Sequence, residues 1–258
     1  MKKLLVAITS IFLCEYGHAA ISRVQKAISD SCSTTISANT AGNLLVVFCE
    51  GQTTYPTAVS DNAAGGSNTY TEVTGARGAL SGPVGATTVW YSRTTNSGAT
   101  TVTCTSASDC YGSGVREYSG ALASGDPVDT SSGSVSTGCT GTSCLGAPVT
   151  TTDAGAVIIG YAIPGNSITA VDSPFTDFLG GTANGHAFAD YLPGTTVTAN
   201  QATWTDSSSG DSVGSSVVAF KAEGGGGGGP SGPGSINTTP GFGSINSLPG
   251  TGSINSVR

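Results

Sequence analysis

The run NLLVVFC (Asn43–Cys49) decides the fold class of this chain. Its β-branched and aromatic residues favour a pleated strand. Because the run is apolar throughout rather than alternating, it is typical of a strand that is buried on both faces. A second run, AGAVIIGYAI (Ala154–Ile163), also predicts a strand, because its Gly155, Gly160 and Pro164 disfavour the alternative of a buried helix. The core of the protein is therefore predicted to consist of strands.

Shorter strand-like segments lie outward from these two runs, between turns rich in Gly, Ser and Asn. The further predicted strands are ISRVQKAI (Ile21–Ile28), NTYTEV (Asn68–Val73), TTVWYSR (Thr87–Arg93), TTVTCT (Thr100–Thr105), GVREYSG (Gly114–Gly120), APVTTT (Ala147–Thr152), GHAFADYL (Gly185–Leu192), TTVTANQATWT (Thr195–Thr205) and GSSVVAFKA (Gly214–Ala222). A total of about eleven short strands at this spacing is typical of a sandwich or barrel. We therefore expect an all-β, antiparallel β-sandwich of jelly-roll type, with an immunoglobulin-like sandwich as the alternative.

The chain divides into three regions by composition. Residues 1–19 have the pattern of a signal peptide, with two lysines, an apolar stretch and a small-residue cleavage site at Gly17–Ala19. Residues 20–223 are the predicted β-sandwich domain, and no later stretch of the sequence is long and apolar enough to predict a membrane span. The protein is therefore expected to be secreted, outside the cell or at its surface.

The remaining residues, 224–258, read as a Gly-rich linker and a repeat tail. Six glycines (Gly224–Gly229) precede three copies of Gly-Ser-Ile-Asn, which start at Gly234, Gly243 and Gly252. Prolines remove backbone donors, and one Ile per repeat is too little apolar surface to build a core. The tail is thus expected to be disordered and to act as a tether or an assembly segment.

The net charge excludes one class of partner. It is −7, and only 10% of the residues are charged. An acidic chain with scattered cations lacks the basic patch that binds phosphate backbones. Nucleic acid is therefore not an expected partner.

The cysteines predict disulfide bonds. Six of them follow the leader: Cys32, Cys49, Cys104, Cys110, Cys139 and Cys144. An even number in an exported chain is typical of a disulfide framework, and no Cys-x-x-Cys pattern favours a metal site. Six cysteines allow fifteen pairings. Sequence proximity favours Cys104–Cys110, Cys139–Cys144 and Cys32–Cys49.

Several segments together resemble a β-sandwich domain that is common in bacterial secreted and cell-surface proteins. These segments are AGNLLVV, SDNAAGGSNTY, VWYSRTTNSGATTVT, VREYSGALASGDPVD, GAPVTTTDAGAVIIG and SSVVAFK. The resemblance covers about residues 21–222, and the cysteines and the insertion at Gly65-Gly66 depart from the usual pattern. It implies a sandwich module and no particular activity.

Aromatic side chains are the candidate ligand-binding groups, because their rings can stack on sugars. The candidates are Trp90, Tyr91, Tyr111, Tyr191 and Trp204. The competing interpretation is that these rings fill the core. An exposed row of them would indicate glycan binding.

Oxygen-rich loops are the candidate metal site. Asp61 and Asn62 lie in one Gly-rich loop, and Asp126 and Asp129 lie in a turn fixed by Pro127. Calcium is the metal that such ligands suit, and it would have a structural role. The alternative is that each acid only caps the backbone of its own turn.

No catalytic residue is predicted. His186 is the only histidine after the leader, and Asp190 lies on the same face of its strand, but no Gly-x-Ser-x-Gly motif accompanies them. A strand histidine of this kind is expected to be exposed or hydrogen-bonded. The leading hypothesis is a non-catalytic extracellular module that either binds glycan or self-associates as a subunit of a surface or fibre assembly. The alternative is a glycan-cleaving hydrolase that uses Asp and Glu carboxylates.

Overall fold

A computed structural model describes residues 20–80, 85–107, 109–180 and 185–224 of this chain, without the side chains of residues 134–137. The leader and, apart from Gly224, the tail lie outside the described residues, so the predictions made for them are untested. In the described part no helix is long and apolar enough to cross a membrane.

The described residues form strands, with one short 3₁₀ turn at Thr74–Ala76. The strands are β1 (Ser22–Ser29), β2 (Ser33–Thr35), β3 (Leu44–Gly51), β4 (Ala58–Asp61), β5 (Thr71–Glu72), β6 (Gly78–Ala79), β7 (Ala86–Arg93), β8 (Thr101–Thr105), β9 (Cys110–Ser119), β10 (Val128–Gly138), β11 (Ser143–Leu145), β12 (Val157–Pro164), β13 (Ile168–Val171), β14 (Thr176–Leu179), β15 (Ala187–Tyr191), β16 (Thr203–Asp206) and β17 (Ser212–Phe220). The predicted all-β class is confirmed. The described residues contain seventeen strands rather than the predicted eleven. The additional strands are the eleven-residue β10 and six short ones, whereas the strand predicted at Ala147–Thr152 is absent and contributes only an isolated bridge between Val149 and Asn200.

These strands form one large sheet and two small ones. The large sheet has eleven strands in the order β1-β9-β3-β7-β6-β10-β17-β12-β15-β14, with β5 beside β7. The small sheets have the orders β2-β8-β4 and β11-β16-β13. All pairings are antiparallel except the single parallel contact between β6 and β10.

The strand order repeats itself within the chain. In the first half of the chain, β1, β9, β3 and β7 are neighbours in the large sheet, and β2, β8 and β4 form a small sheet. In the second half β10, β17, β12 and β15 correspond to the first set, and β11, β16 and β13 to the second. If the bridging strand β6 is not counted, each half has eight strands. Numbered in chain order, they follow the order 1-8-3-6 in the large sheet and 2-7-4 in the small one, which is jelly-roll topology. The predicted jelly roll therefore occurs twice in tandem.

The hydrogen-bond register supports this internal repeat. Leu44–Phe48 of β3 pair with Tyr118–Gly114 of β9, and Val157–Tyr161 of β12 pair in the same way with Phe220–Ser216 of β17. The register of β1 shifts opposite Tyr118 and Glu117, and that of β10 shifts opposite the equivalent residues Phe220 and Ala219. The two halves therefore share a β-bulge at the same position.

The large sheet bends so that its two halves pack face to face. Strands β3 and β12 are not neighbours in the sheet, yet the rings of Phe48 and Tyr161 stack with centroids 5.0 Å apart. These two residues occupy equivalent positions of the two halves. A contact between equivalent residues is what a two-fold axis produces, so the two jelly rolls are related by pseudo-two-fold symmetry.

The central strands are apolar throughout because their side chains point alternately into two different cores. Successive side chains of a strand point to opposite faces. In β3, Leu44, Val46 and Phe48 lie in the core between the two halves, while Leu45 and Val47 lie in a second core under β2-β8-β4. The side chains of β12 alternate in the same way between the core that lies between the two halves, here called the central core, and a third core under β11-β16-β13. The prediction that Asn43–Cys49 contains a strand buried on both faces is confirmed, since all eight residues of β3 are buried.

The disulfide pairing differs from the one that sequence proximity favoured. Cys139–Cys144 is present as predicted, with Cα atoms 4.3 Å apart. The other two bonds are Cys32–Cys110 and Cys49–Cys104, with Cα–Cα distances of 5.3 and 5.9 Å. The predicted pairs Cys32–Cys49 and Cys104–Cys110 are wrong, because strand order rather than sequence distance brings cysteines together. Each bond lies within one half.

Candidate functional site

The aromatic residues singled out from the sequence do not form an exposed row. Trp204 is fully buried and Trp90 is 8% exposed, and each packs in an outer core. Tyr91, Tyr111 and Tyr191 are half-buried. Tyr91 packs edge-on against Phe220, Tyr111 accepts a hydrogen bond from Gln52, and Tyr191 contacts Phe175. Most of these ring surfaces therefore contribute to packing.

The first pair of candidate calcium ligands is occupied by protein donors. The Asp61 carboxylate accepts hydrogen bonds from the backbone of Ala63, from Asn68 and from the Tyr70 hydroxyl. The Asn62 side-chain oxygen accepts from two successive backbone N–H groups in the strand-entry segment at Thr100 and Thr101. These bonds fix the loop, which is the alternative role considered for these residues.

The second pair is occupied in the same way. Asp126 accepts from the backbone of Val128 at 3.0 Å, and Asp129 accepts from the backbone and hydroxyl of Thr152. Asp126 and Asp129 share no hydrogen-bond partner with Asp61 or Asn62. Within the residues that the structure describes, no group of three or more His, Cys, Asp or Glu side chains is arranged to hold a metal ion.

The strongest concentration of buried charge lies between the two halves. Arg116 of β9 is 1% exposed, and its Nη1 lies 2.8 Å from the Oδ2 of Asp190 in β15, which is fully buried. The Tyr118 hydroxyl donates to the same Oδ2 at 2.7 Å. The Arg116 guanidinium also lies 4.4 Å over the ring of Phe188. One half thus supplies the cation and the hydroxyl, and the other supplies the carboxylate and the ring.

Further charges surround this pair at the edge of the central core. Asp177 of β14 contacts Arg116 at 2.8 Å and Lys26 of β1 at 2.6 Å. Arg23 of β1 reaches Asp190 at 2.6 Å. Partial burial by itself would raise the pKa of Asp177, but Lys26 and Arg116 hold it below its ordinary value. We call Arg23, Lys26, Arg116, Asp177 and Asp190 the ionic seam, because they join the two end strands of the bent sheet.

The equivalent edge on the other side of the pseudo-two-fold axis lacks this buried ion pair. The positions of Arg116, Tyr118 and Asp190 are occupied there by Val218, Phe220 and Tyr91. Phe220 and Tyr91 are in contact, with ring centroids 5.6 Å apart. On this side β6 bridges β7 and β10 by hydrogen bonds. The buried Arg116–Asp190 pair therefore has no equivalent among the described residues of the bridged side, where the ion pair of Arg77 and Glu72 is partly exposed.

A second polar group, Glu50, His186 and Tyr161, lies deeper in the same core. Tyr161 donates to Glu50 Oε2 at 3.2 Å, and His186 Nδ1 lies 3.4 Å from the same oxygen. Glu50 is 2% exposed and His186 is fully buried, so the expectation of an exposed or hydrogen-bonded histidine is wrong: neither ring nitrogen makes a hydrogen bond of good geometry. Burial raises the pKa of Glu50 to about 8, against the Tyr161 hydrogen bond. Burial lowers the pKa of His186 below its ordinary value, although Asp30 and the Ser29 backbone oppose the change.

These two pKa shifts predict that stability falls as the pH rises above about 6.5. Below that pH, folding takes up a proton at Glu50, and the lowered pKa of His186 opposes this contribution. Above about pH 6.5 only Glu50 still binds an extra proton in the folded state. Stability should then fall by about 1.4 kcal/mol per pH unit, roughly 2 kcal/mol in all by pH 8. The free energy of unfolding, obtained from urea denaturation at intervals of half a pH unit, measures this decline.

Glu50→Gln is the matched control for this pH dependence. Removing the titrating group should flatten the profile between pH 6.5 and 8, while His186 should still lower stability below about pH 6.5. An unchanged decline in the variant would mean that another group carries it.

Sequence reasoning did not identify either buried group. Arg116, Glu117 and Tyr118 lie in the segment VREYSG, which was predicted only as a strand. A usable signal was present, because charged residues in a strand flanked by apolar strands require partners if both faces are buried. His186 and Asp190 were noticed as lying on one face, but their partners come from the other half of the chain.

The arrangement is suited to joining layers rather than to reacting with a substrate. The carboxylate of Asp190 is saturated by Arg23, Arg116 and Tyr118. Glu50 and His186 are enclosed. No family model, curated protein or solved structure matches this chain.

Proposed function

We propose that this protein is an exported, non-catalytic structural module that serves as a subunit of an extracellular surface or fibre assembly. The proposal rests mainly on one observation: in the described residues, the buried charges of the ionic seam join the two jelly rolls to each other. Three disulfides add covalent stabilisation within the halves. Disulfides of this number suit an oxidising, extracellular setting.

The alternative of a glycan-cleaving hydrolase has less support. Such enzymes place two carboxyl groups on either side of a sugar in an accessible cleft. Glu50 and Asp190 are enclosed in the central core, Asp126 accepts a hydrogen bond from the backbone of its own turn, and Asp129 accepts one from the backbone of the distant Thr152. The buried carboxylates thus already have partners within the fold.

Glycan binding is the second candidate, and one surface favours it. The outward face of β2-β8-β4 carries Ser33, Thr35, Ser60, Thr101 and Thr103, because the intervening Thr34, Val102 and Cys104 are buried. This face is rich in hydroxyls and has no formal charge at these positions. Hydroxyls both donate and accept hydrogen bonds, which suits an uncharged polysaccharide.

One experiment separates these functions. The mature protein is applied to a glycan array and to a panel of polysaccharide substrates, and its mass is followed by light scattering as concentration rises. The structural proposal predicts concentration-dependent association without hydrolysis. A monomer at all concentrations that cleaves a polysaccharide would overturn it, and a monomer that binds a glycan would favour the second candidate. In that case Thr103→Lys should abolish binding if the hydroxyl face is the site.

The tail is proposed to act in association and not in folding. Deleting residues 224–258 should leave the melting temperature of the body within about 2 °C, because the repeats have too little apolar surface to stabilise it. Association at high concentration should decrease, since three weak units act together by multivalency. Thermal denaturation and light scattering of the full-length and truncated chains measure the two effects. A melting temperature lowered by many degrees in the truncated chain would show that the repeats pack on the body.

A further inference from the structure

The segment between the two jelly rolls contains the only Asp-Pro pair in the sequence, Asp126-Pro127. It lies between the end of β9 at Ser119 and the start of β10 at Val128. Asp126 is exposed, whereas Pro127 is buried. An aspartyl-prolyl bond is chemically special, because the side-chain carboxyl can reach its own backbone carbonyl and the proline nitrogen is a good leaving amine.

Groups from both halves surround this bond. The Lys221 ammonium donates to the Asp126 carbonyl oxygen at 3.4 Å, and the Lys221 backbone N–H donates to the Pro127 carbonyl at 2.8 Å. The Asp126 Oδ1 accepts from the Val128 backbone at 3.0 Å and from the Tyr91 hydroxyl at 3.4 Å. The bond therefore has a neighbouring carboxyl group, a cation on its carbonyl oxygen and a leaving residue that is anchored to β17.

We propose that this protein cleaves its own chain between Asp126 and Pro127. Asp126 Oδ2 attacks the Asp126 carbonyl carbon and closes a five-membered cyclic anhydride, while Lys221 stabilises the negative charge that develops on the carbonyl oxygen. The bond from that carbon to the Pro127 nitrogen breaks, and the nitrogen takes a proton from the acidic solvent, to which protons return when water opens the anhydride. Water then opens the anhydride, leaving a carboxyl terminus at Asp126 and an amino terminus at Pro127. The net reaction is hydrolysis, with water as the only co-reactant.

Cleavage would convert the chain into a two-chain protein with the same fold. No disulfide crosses residue 126, because Cys32–Cys110 and Cys49–Cys104 precede it and Cys139–Cys144 follows it. The halves would remain associated through the Phe48–Tyr161 stack and the ionic seam. Without a covalent connection, the two jelly rolls could separate or exchange partners between copies.

The test follows the mature protein by intact-mass spectrometry and non-reducing gel electrophoresis during incubation at pH 4 to 5. Two fragments should accumulate, ending at Asp126 and beginning at Pro127, while gel filtration still shows the native size. The same chain in urea at the same pH gives the background rate of an unfolded Asp-Pro bond. Cleavage should be about tenfold or more faster in the folded protein, since the fold supplies orientation and the Lys221 cation.

Variants separate this mechanism from ordinary acid lability. Asp126→Asn should abolish cleavage. Lys221→Met should slow it about tenfold in the folded protein and leave the rate in urea unchanged, because the contact exists only in the fold. Asp129→Asn, an acid of the same turn region, should cleave as the parent does. Equal rates in folded and unfolded chains, or full activity of Lys221→Met, would overturn the proposal.

Discussion

Replacing Arg116 with methionine is expected to destabilise the protein by about 3 to 5 kcal/mol, the range for removing one partner of a buried ion pair. The substitution leaves the fully buried Asp190 with only the more exposed Arg23 as its cation. It also removes the cation from the face of Phe188. Chemical denaturation at pH 7 measures the effect as a lower urea midpoint at an unchanged slope.

Arg77→Met is the matched control for this prediction. Arg77 forms an ion pair of good geometry with Glu72, but its side chain is 42% exposed. Exposed pairs contribute little, so the loss should be at most about 1 kcal/mol. If Arg116→Met is too unstable to purify, Asp190→Asn, which keeps the shape of the side chain, gives the same comparison. If the Arg116 and Arg77 variants lost the same small amount of stability, the ionic seam would not stabilise the contact between the halves.

Removing the Cys49–Cys104 bond by changing both cysteines to alanine is expected to cost about 4 kcal/mol. The bond closes a loop with a sequence separation of 55 residues. In the chain-entropy model the stabilisation grows with the logarithm of this separation. The same change at Cys139 and Cys144, which are separated by only 5 residues, should cost about 2 kcal/mol.

Peptide mapping under non-reducing conditions tests the pairing on which this comparison depends. It should recover Cys32 linked to Cys110, and Cys49 linked to Cys104. Recovery of Cys32–Cys49 and Cys104–Cys110 peptides would contradict the strand order described above. If the two double variants lost equal amounts of stability, the result would instead contradict the entropic explanation, which predicts a larger loss for the longer loop.

Local sequence pattern was sufficient to predict the all-β class, the jelly roll and most of the central strands, but not the long strand β10. The apolar run at Asn43–Cys49 predicted a strand buried on both faces, the run at Ala154–Ile163 predicted a second strand, and both lie in the centre of the structure. Strand periodicity depends on nearest neighbours, so it can be recognised in a single chain. The likeness of AGNLLVV to AGAVIIG was also visible, but the internal repeat was not recognised because the intervening segments differ in length and composition.

Contacts between distant segments could not be predicted in the same way. Arg116 and Asp190 belong to different halves, and only the bend of the large sheet brings them together. The cysteines show the same limitation, since Cys32 and Cys110 meet through the pairing of β1 with β9. Aromatic residues were predicted from their type alone, and the type does not distinguish the buried Trp204 from a ring that faces solvent.

Differential scanning calorimetry of residues 20–258 at pH 6 tests the central claim most directly, namely that two jelly rolls share one core and form a single structural unit. A shared core predicts one transition whose calorimetric enthalpy equals its van't Hoff enthalpy. Arg116→Met should lower the temperature of that single transition without splitting it. Two separate transitions, only one of which shifts in the variant, would contradict the claim, because the halves would then unfold independently.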